Sequence, residues 1–228
     1  IDPKTNLFKC FGCGAAGDPI RFIELYEKKS FPEAVGALTG ADSSGKPDVT
    51  EPGMTSTQLL NRIANFYHDT FLTNPKAQEY LASRGITKHE IYQSFKIGYA
   101  DGKLLNTLPK EGGLVNALKK IGILNRYGKE LFLNCVIVPL FDSGGNVAGM
   151  YGRKLQPGGQ VNHLYLPGKR QGIVNRPAAA SSEAVILTES IIDALSLYQN
   201  GYPNVIPLYG TNGLTDDHLE LFHAYRPK

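Results

Sequence analysis

The sequence predicts an α+β chain of three successive parts, and three observations predict it. A cysteine pair at C-x-x-C spacing, Cys10 and Cys13 in "FKCFGCG", sits near the first residue. Mid-chain, "LFLNCVIVPLFDSGGNVAGMYGRKL" (131–155) reads as two apolar strands around a Gly-rich turn, a β-hairpin. After Ala184 the order becomes strand, helix, strand, helix, which is how a parallel sheet covered by helices begins. Composition permits this, since 228 residues can hold two modest domains, and 42% hydrophobic with 20% charged residues is an ordinary globular balance. Three cysteines, odd and sparse, argue against a secreted disulfide framework and suit a reducing compartment. No apolar run approaches the roughly 18 residues of a membrane span, and "IDPKTNLFK" lacks the order of a signal peptide.

In the first part (1–40), Asp18 is placed to cap a helix with Pro19 at its first position. The stretch that follows, 41–54, reads as a linker from its Gly, Ser, Pro and acidic content. The second part (55–182) opens with Thr55 or Ser56 as a cap, and Leu59, Leu60, Ile63, Phe66, Tyr67 and Phe71 then fall at helical spacing. A helix over "PKAQEYLAS" should stop at Gly85, and Thr87 with Glu90 forms a capping-box pair for "KHEIYQSF". The third part (183–228) holds strand "AVILTE", helix "SIIDALSLYQN" with Gly201 as its stop, strand "NVIPLYG" and helix "TDDHLELFHAY".

Three constellations carry chemistry. The first is the cysteine pair, for which a chance pair, a redox motif and half of a zinc site all remain open. Thiolates bind zinc well, Gly14 permits the tight turn that points amides at sulfur, and a redox motif would open its helix sooner than Asp18. The second is a gap in carboxylates: no Asp or Glu lies between Ser143 and Ser182, while Arg153, Lys154, His163, Lys169, Arg170 and Arg176 do. Such a local positive field suits phosphates of nucleotides or of a template strand, and Tyr151 and Tyr165 are interleaved for stacking. The third is "VILTESIIDALSLYQNG". Glu189 falls where a parallel strand ends, the edge where α/β folds place ligands, and Asp193 follows one helical turn later. Two carboxylates there can hold Mg²⁺, a hard cation that keeps several waters. Gly210 permits close backbone approach and Thr211 adds a hydroxyl, whereas Asp216, Asp217 and Glu220 read as helix-start and surface charges.

These phrases, in this order, resemble the bacterial and phage replicative DNA primases. "FKCFGCGAAGDPIRFIELYEKKSFPEAVGALTG" resembles the second half of that family's Cys-His-Cys-Cys zinc ribbon. "EYLASRGITKHEIYQSFKIGYA" and "LFLNCVIVPLFDSGGNVAGMYGRKL" resemble its catalytic core, with Arg153 at the family's arginine. "TESIID" and "LYGTNGLTDDHLELF" resemble the opening of the Toprim domain shared by primases, topoisomerases and some nucleases, with Ser190 in place of a glycine. The phrase "NHLYLPGKRQGIVN" departs from the family's Lys-Tyr-x-N-S-P, with His163 where the lysine would fall.

The resemblance implies a zinc-ribbon remnant, a mixed α/β core subdomain with a hairpin and the first βαβα of a Toprim fold, in a chain cut at both ends. It implies DNA-directed synthesis of short RNA primers on single-stranded DNA by Mg²⁺- or Mn²⁺-dependent nucleotidyl transfer, with Zn²⁺ in the full-length protein. Glu189 and Asp193 would serve as catalytic metal ligands, and Arg153, Lys154, His163, Lys169, Arg170, Gly210 and Thr211 would bind nucleic acid or nucleotide. Cys10 and Cys13 would form half of the zinc site, and the chain alone is expected to be inactive. Expected partners are single-stranded template, ribonucleoside triphosphates and a replicative helicase, in the cytoplasm of a bacterium or a phage-infected cell. Toprim strand cleavage and a non-catalytic DNA-binding role are the alternatives.

Overall fold

The computed structural model describes residues 7–10, 12, 14–29, 34, 54–156 and 162–227. Cys13, residues 30–33 and 35–40, and the 41–53 stretch of the linker lie outside the described residues. The chain divides into two units, Ile1–Glu51 with Asn106–Leu114, and Pro52–Leu105 with Val115–Lys228.

The first unit holds a small antiparallel ribbon of β1 (Phe8–Lys9) and β2 (Ala16–Gly17), with Phe8 opposite Gly17 and Lys9 opposite Ala16. Helix α1 (Pro19–Tyr26) follows, capped as the sequence predicts: Asp18 Oδ1 accepts from the Arg21 N–H at 2.8 Å, and Pro19 opens the helix.

The second unit is built around a four-stranded antiparallel sheet in the order β3 (Gly98–Tyr99), β4 (Cys135–Phe141), β5 (Val147–Lys154) and β6 (His163–Tyr165). Helix α2 (Ser56–Leu72) starts at a complete capping box, Thr55 Oγ1 accepting from Gln58 N while Gln58 Oε1 accepts from Thr55 N. Its buried stripe includes Leu60, Ile63, Ala64, Tyr67 and Phe71. Gly98 allows that helix to press on β3, since a Cβ there would stand 2.7 Å from Tyr67 Cβ. Helix α3 (Pro75–Ser83) ends at Gly85, where Gly85 N–H bonds to Ala82 O and Ile86 N–H to Leu81 O. Valines 136 and 138, Tyr99, Tyr151, Leu81 and Ile91 share one core with Ile191, Leu195 and Tyr209 from the last part of the chain.

That last part has the predicted order. β7 (Ile186–Thr188) pairs in parallel with β8 (Val205–Pro207), with Thr188 opposite Pro207, and α8 (Ile191–Gln199) crosses between them. Helix α9 (Asp216–Tyr225) closes the described chain. The second unit also holds α4 (His89–Ser94) and α7 (Pro177–Ser181), while α5 (Leu104–Thr107) and α6 (Gly113–Lys120) each span a boundary position in the sequence. Among the described residues no helix is long and apolar enough to cross a membrane.

Three local expectations change. Thr87 and Glu90 make no capping box: Lys88 is the cap residue of α4 and offers no side-chain bond. Gln199 from α8 does this work instead, its Oε1 accepting from Thr87 N at 2.7 Å and Lys88 N at 2.9 Å while its Nε2 donates to Gly85 O. The first hairpin strand starts at Cys135 rather than Leu131, because the chain turns through Asn134 in the left-handed region (φ 60°), with Cys135 N–H bonded to Phe132 O. Glu189 lies outside α8, whose cap is Ser190; Asp193 N donates to Ser190 Oγ, so the two acids are not successive turns of one helix.

Candidate nucleic-acid and metal-binding site

The carboxyl ends of β7 and β8 meet in a short loop system. Leu208 N–H donates to Thr188 O at 2.8 Å, and Gly210 N–H donates to Glu189 O at 2.7 Å. This continues the parallel pairing past the strands and sets Gly210 and Thr211 beside Glu189. Gly210 has φ +107°, and nothing would meet a Cβ there within 4 Å, so the backbone is open to a ligand. Glu189, Asp193 and Thr211 are all exposed. Two exposed carboxylates offer hard oxygens, the donor type that suits Mg²⁺ or Mn²⁺, and such ions tolerate few protein ligands because they retain water. Among the described residues no three His, Cys, Asp or Glu side chains gather as a metal cluster.

The loop is fixed from behind by Tyr209. Its ring is buried, its hydroxyl donates to Gly172 O at 3.0 Å, and it accepts from Val174 N–H at 3.0 Å. Burial pushes its pKa far up, so the phenol stays neutral. Arg170 Nη1 donates to Tyr209 O at 3.3 Å and stacks on the Tyr165 ring with 4.3 Å to the centroid. Asp217 is more than a surface charge: its Oδ2 accepts from Gly172 N–H at 2.6 Å, while Asp216 pairs with Lys169 at 2.6 Å. That pair is two-thirds exposed on both sides, so it is weak and an incoming phosphate can displace it. Lys169 and Arg170 join Lys120 and Tyr165 along a cleft of about 260 Å³ that has no Asp or Glu in its lining.

A second cationic group lies on the β5–β6 ribbon. The register sets Arg153 opposite His163 and Tyr151 opposite Tyr165. Arg153 Nε donates to Tyr80 Oη at 3.2 Å, its Nη1 bonds the His163 ring, and Tyr151 Oη meets His163 Nδ1 at 2.8 Å. Burial and then the Arg153 charge hold the His163 pKa below its ordinary value. Lys154 follows on β5, half-buried. The chain of rings Tyr151, Tyr165, Tyr209 and His218, each 5–6 Å from the next (5.3, 6.0 and 5.0 Å), ties this ribbon to α9. The structure thus connects Arg170 to the Glu189 loop through Tyr209, and groups Arg153 with His163. Sequence reasoning missed Tyr80, Gln199 and Asp217, because a tyrosine, a glutamine and a helix-start acid carry no pattern of their own.

In the other unit, Cys10 N–H donates to Ala15 O at 2.7 Å and Gly14 N–H donates to Cys10 O at 3.0 Å. Gly14, with φ +75°, therefore closes a turn back onto Cys10. Cys10 is exposed, and its partner Cys13 falls outside the described residues. Cys135 is buried in β4 and its thiol is pushed up to about 11 by burial, which makes it inert.

An antiparallel core module with a cationic ribbon is followed by parallel strands whose ends carry an exposed acid, and residues 186–228, which hold those strands, match the Toprim-like family. Residues 66–170 match the DNA primase catalytic core, N-terminal domain, and residues 1–46 match the CHC2 zinc finger. The DNA primase of Aquifex aeolicus (strain VF5) is 31% identical over 100% of this chain and 48% of its own length. That of Helicobacter pylori (strain J99 / ATCC 700824) is 27% identical over 100% of this chain and 43% of its own. The crystal structure of the zinc-binding and RNA polymerase domains of the Aquifex aeolicus primase superposes with TM-score 0.72 at 30% identity, covering 99% of this chain and 59% of that one. The E. coli primase catalytic core gives TM-score 0.64 at 25% identity, over 75% and 59%. The chain spans about half the length of the curated relatives it matches.

Proposed function

We propose that this chain carries the template-gripping surface and the first metal-binding acid of a DNA primase, which joins ribonucleotides into short primers on single-stranded DNA. One observation carries the reading: the Glu189 carbonyl is bonded to Gly210, and the neighbouring Tyr209 carbonyl is bonded to Arg170. An acid suited to a divalent cation and a cation suited to phosphate are therefore held by one loop.

In this reading Glu189 and Asp193 would hold Mg²⁺ or Mn²⁺, which when bound supplies activation of a 3′-hydroxyl and stabilisation of departing pyrophosphate. Arg170 and Lys169 orient the phosphates, Lys169 exchanging Asp216 for the substrate. Arg153, Lys154 and His163 hold the strand, with Tyr165 as a stacking surface. Gly210 brings backbone close to the reacting groups and Thr211 offers a hydroxyl. The cysteine loop would hold Zn²⁺ together with ligands elsewhere in the protein. Ribonucleoside triphosphates and a replicative helicase are the partners this role requires, at the replication fork.

The test sets two assays side by side on the full-length protein: ribonucleotide incorporation on a single-stranded template, and nicking of a supercoiled plasmid. Short RNA products without nicks support the primase reading. Nicking without RNA synthesis would assign the acidic loop to strand cleavage and overturn it.

A further inference from the structure

Arginine has donors only, and Arg153 Nη1 lies within reach of both His163 ring nitrogens, so the nitrogen that receives it presents a lone pair. Tyr151 Oη, which can donate or accept, meets Nδ1 at 2.8 Å. Free of ligand, His163 is neutral and ties Arg153 down with Tyr80. The groups around the imidazole are Tyr151 and Arg153 on β5, Tyr165 on β6, and Tyr80 on α3 with Arg84 stacked 5.6 Å from its ring centroid. None is a carboxylate, so a protonated His163 has no counter-charge until an anion arrives. His163 is exposed and can be reached by one.

We propose that His163 is a phosphate-binding residue that takes a proton from solvent when a nucleic-acid phosphate settles between it and Arg153. The inference rests on the reading that this ribbon grips a single strand. A phosphate reverses the local balance: it accepts from both the guanidinium and the imidazolium, and the Arg153 to His163 bond is exchanged for two charge-assisted ones. Because binding draws in a proton, affinity must rise as pH falls through the His163 titration. This site contributes little above neutrality, where Arg153 acts alone.

The experiment is fluorescence anisotropy of a labelled oligothymidylate with this chain, from about pH 8 to about pH 5.5, at several salt concentrations. The wild type should tighten about tenfold more than His163→Gln over that range, as for a bound-state pKa about one unit above the free one. Its salt slope should steepen by about one at the acid end. The other four histidines are common to both proteins, so the difference isolates His163. His163→Lys, with a fixed charge, should show the steep slope at every pH. The imidazole resonance missing from His163→Gln should titrate below its ordinary value and move upward when the oligonucleotide is added. Parallel pH curves for wild type and His163→Gln with an unmoved imidazole would overturn the proposal. Absence of binding by all three proteins would instead sink the reading of the ribbon as a strand-binding surface, and this inference with it.

Discussion

Tyr209→Phe isolates the bond system that holds the acidic loop in place. The ring stays and only the hydroxyl goes, so packing is conserved while the Val174 N–H and Gly172 C=O lose a partner that sits 3.0 Å from each. Val174 and Gly172 are buried where water does not replace the lost group. An orphaned buried donor or acceptor costs about 1–3 kcal/mol, so the pair should cost about 2–3 kcal/mol after local relaxation. For a chain of this size each kcal/mol lowers Tm by about 2–4 °C, which gives a fall of about 5–10 °C. Thermal unfolding followed by circular dichroism reads it directly. A Tm within about 2 °C of wild type would mean that the hydroxyl is dispensable, and that the 172–174 segment does not fix the Glu189–Gly210 loop.

Gln199→Ala should leave the Thr87 and Lys88 amides without their acceptor, so hydrogen exchange at those two positions should quicken about tenfold or more while α2 is unaffected. Unchanged protection there would refute the role given to Gln199. Glu130 is buried with both oxygens unpartnered among the described residues, facing a Tyr67 hydroxyl that likewise completes no bond of good geometry. Burial raises its pKa in the folded state, so its charged form opposes folding, and the penalty grows as pH rises above the unfolded carboxyl range. Glu130→Gln should therefore stabilise the protein by an amount that widens from acid to neutral pH, as chemical unfolding at several pH values would show; a constant gap would contradict it.

The order of elements was legible in the sequence because local signals set it: Asp18, Thr55, Gly85 and Gly201 mark ends where the structure has them. The hairpin and the parallel pair followed from apolar runs and their spacing. What was not legible depends on contacts distant in sequence. Gln199 caps a turn more than a hundred positions earlier (|i−j| 112 for Thr87), and no local pattern announces it. β6 escaped notice because "HLY" is three residues long and is a strand only through its pairing with β5. The candidate site was legible as residue types, acid at a strand end and cations in a carboxylate gap. Its wiring was not: Lys169 to Asp216, Arg170 to Tyr209 and Arg153 to His163 are all side-chain geometry.

The most direct test is Glu189→Gln in the full-length protein, assayed for ribonucleotide incorporation with oligonucleotide affinity measured in parallel. A neutral amide of the same shape removes the charge a divalent ion requires, and incorporation should drop by about a thousandfold or more while the dissociation constant moves less than about twofold. Undiminished incorporation by the Gln variant would contradict the assignment of that side chain to catalysis.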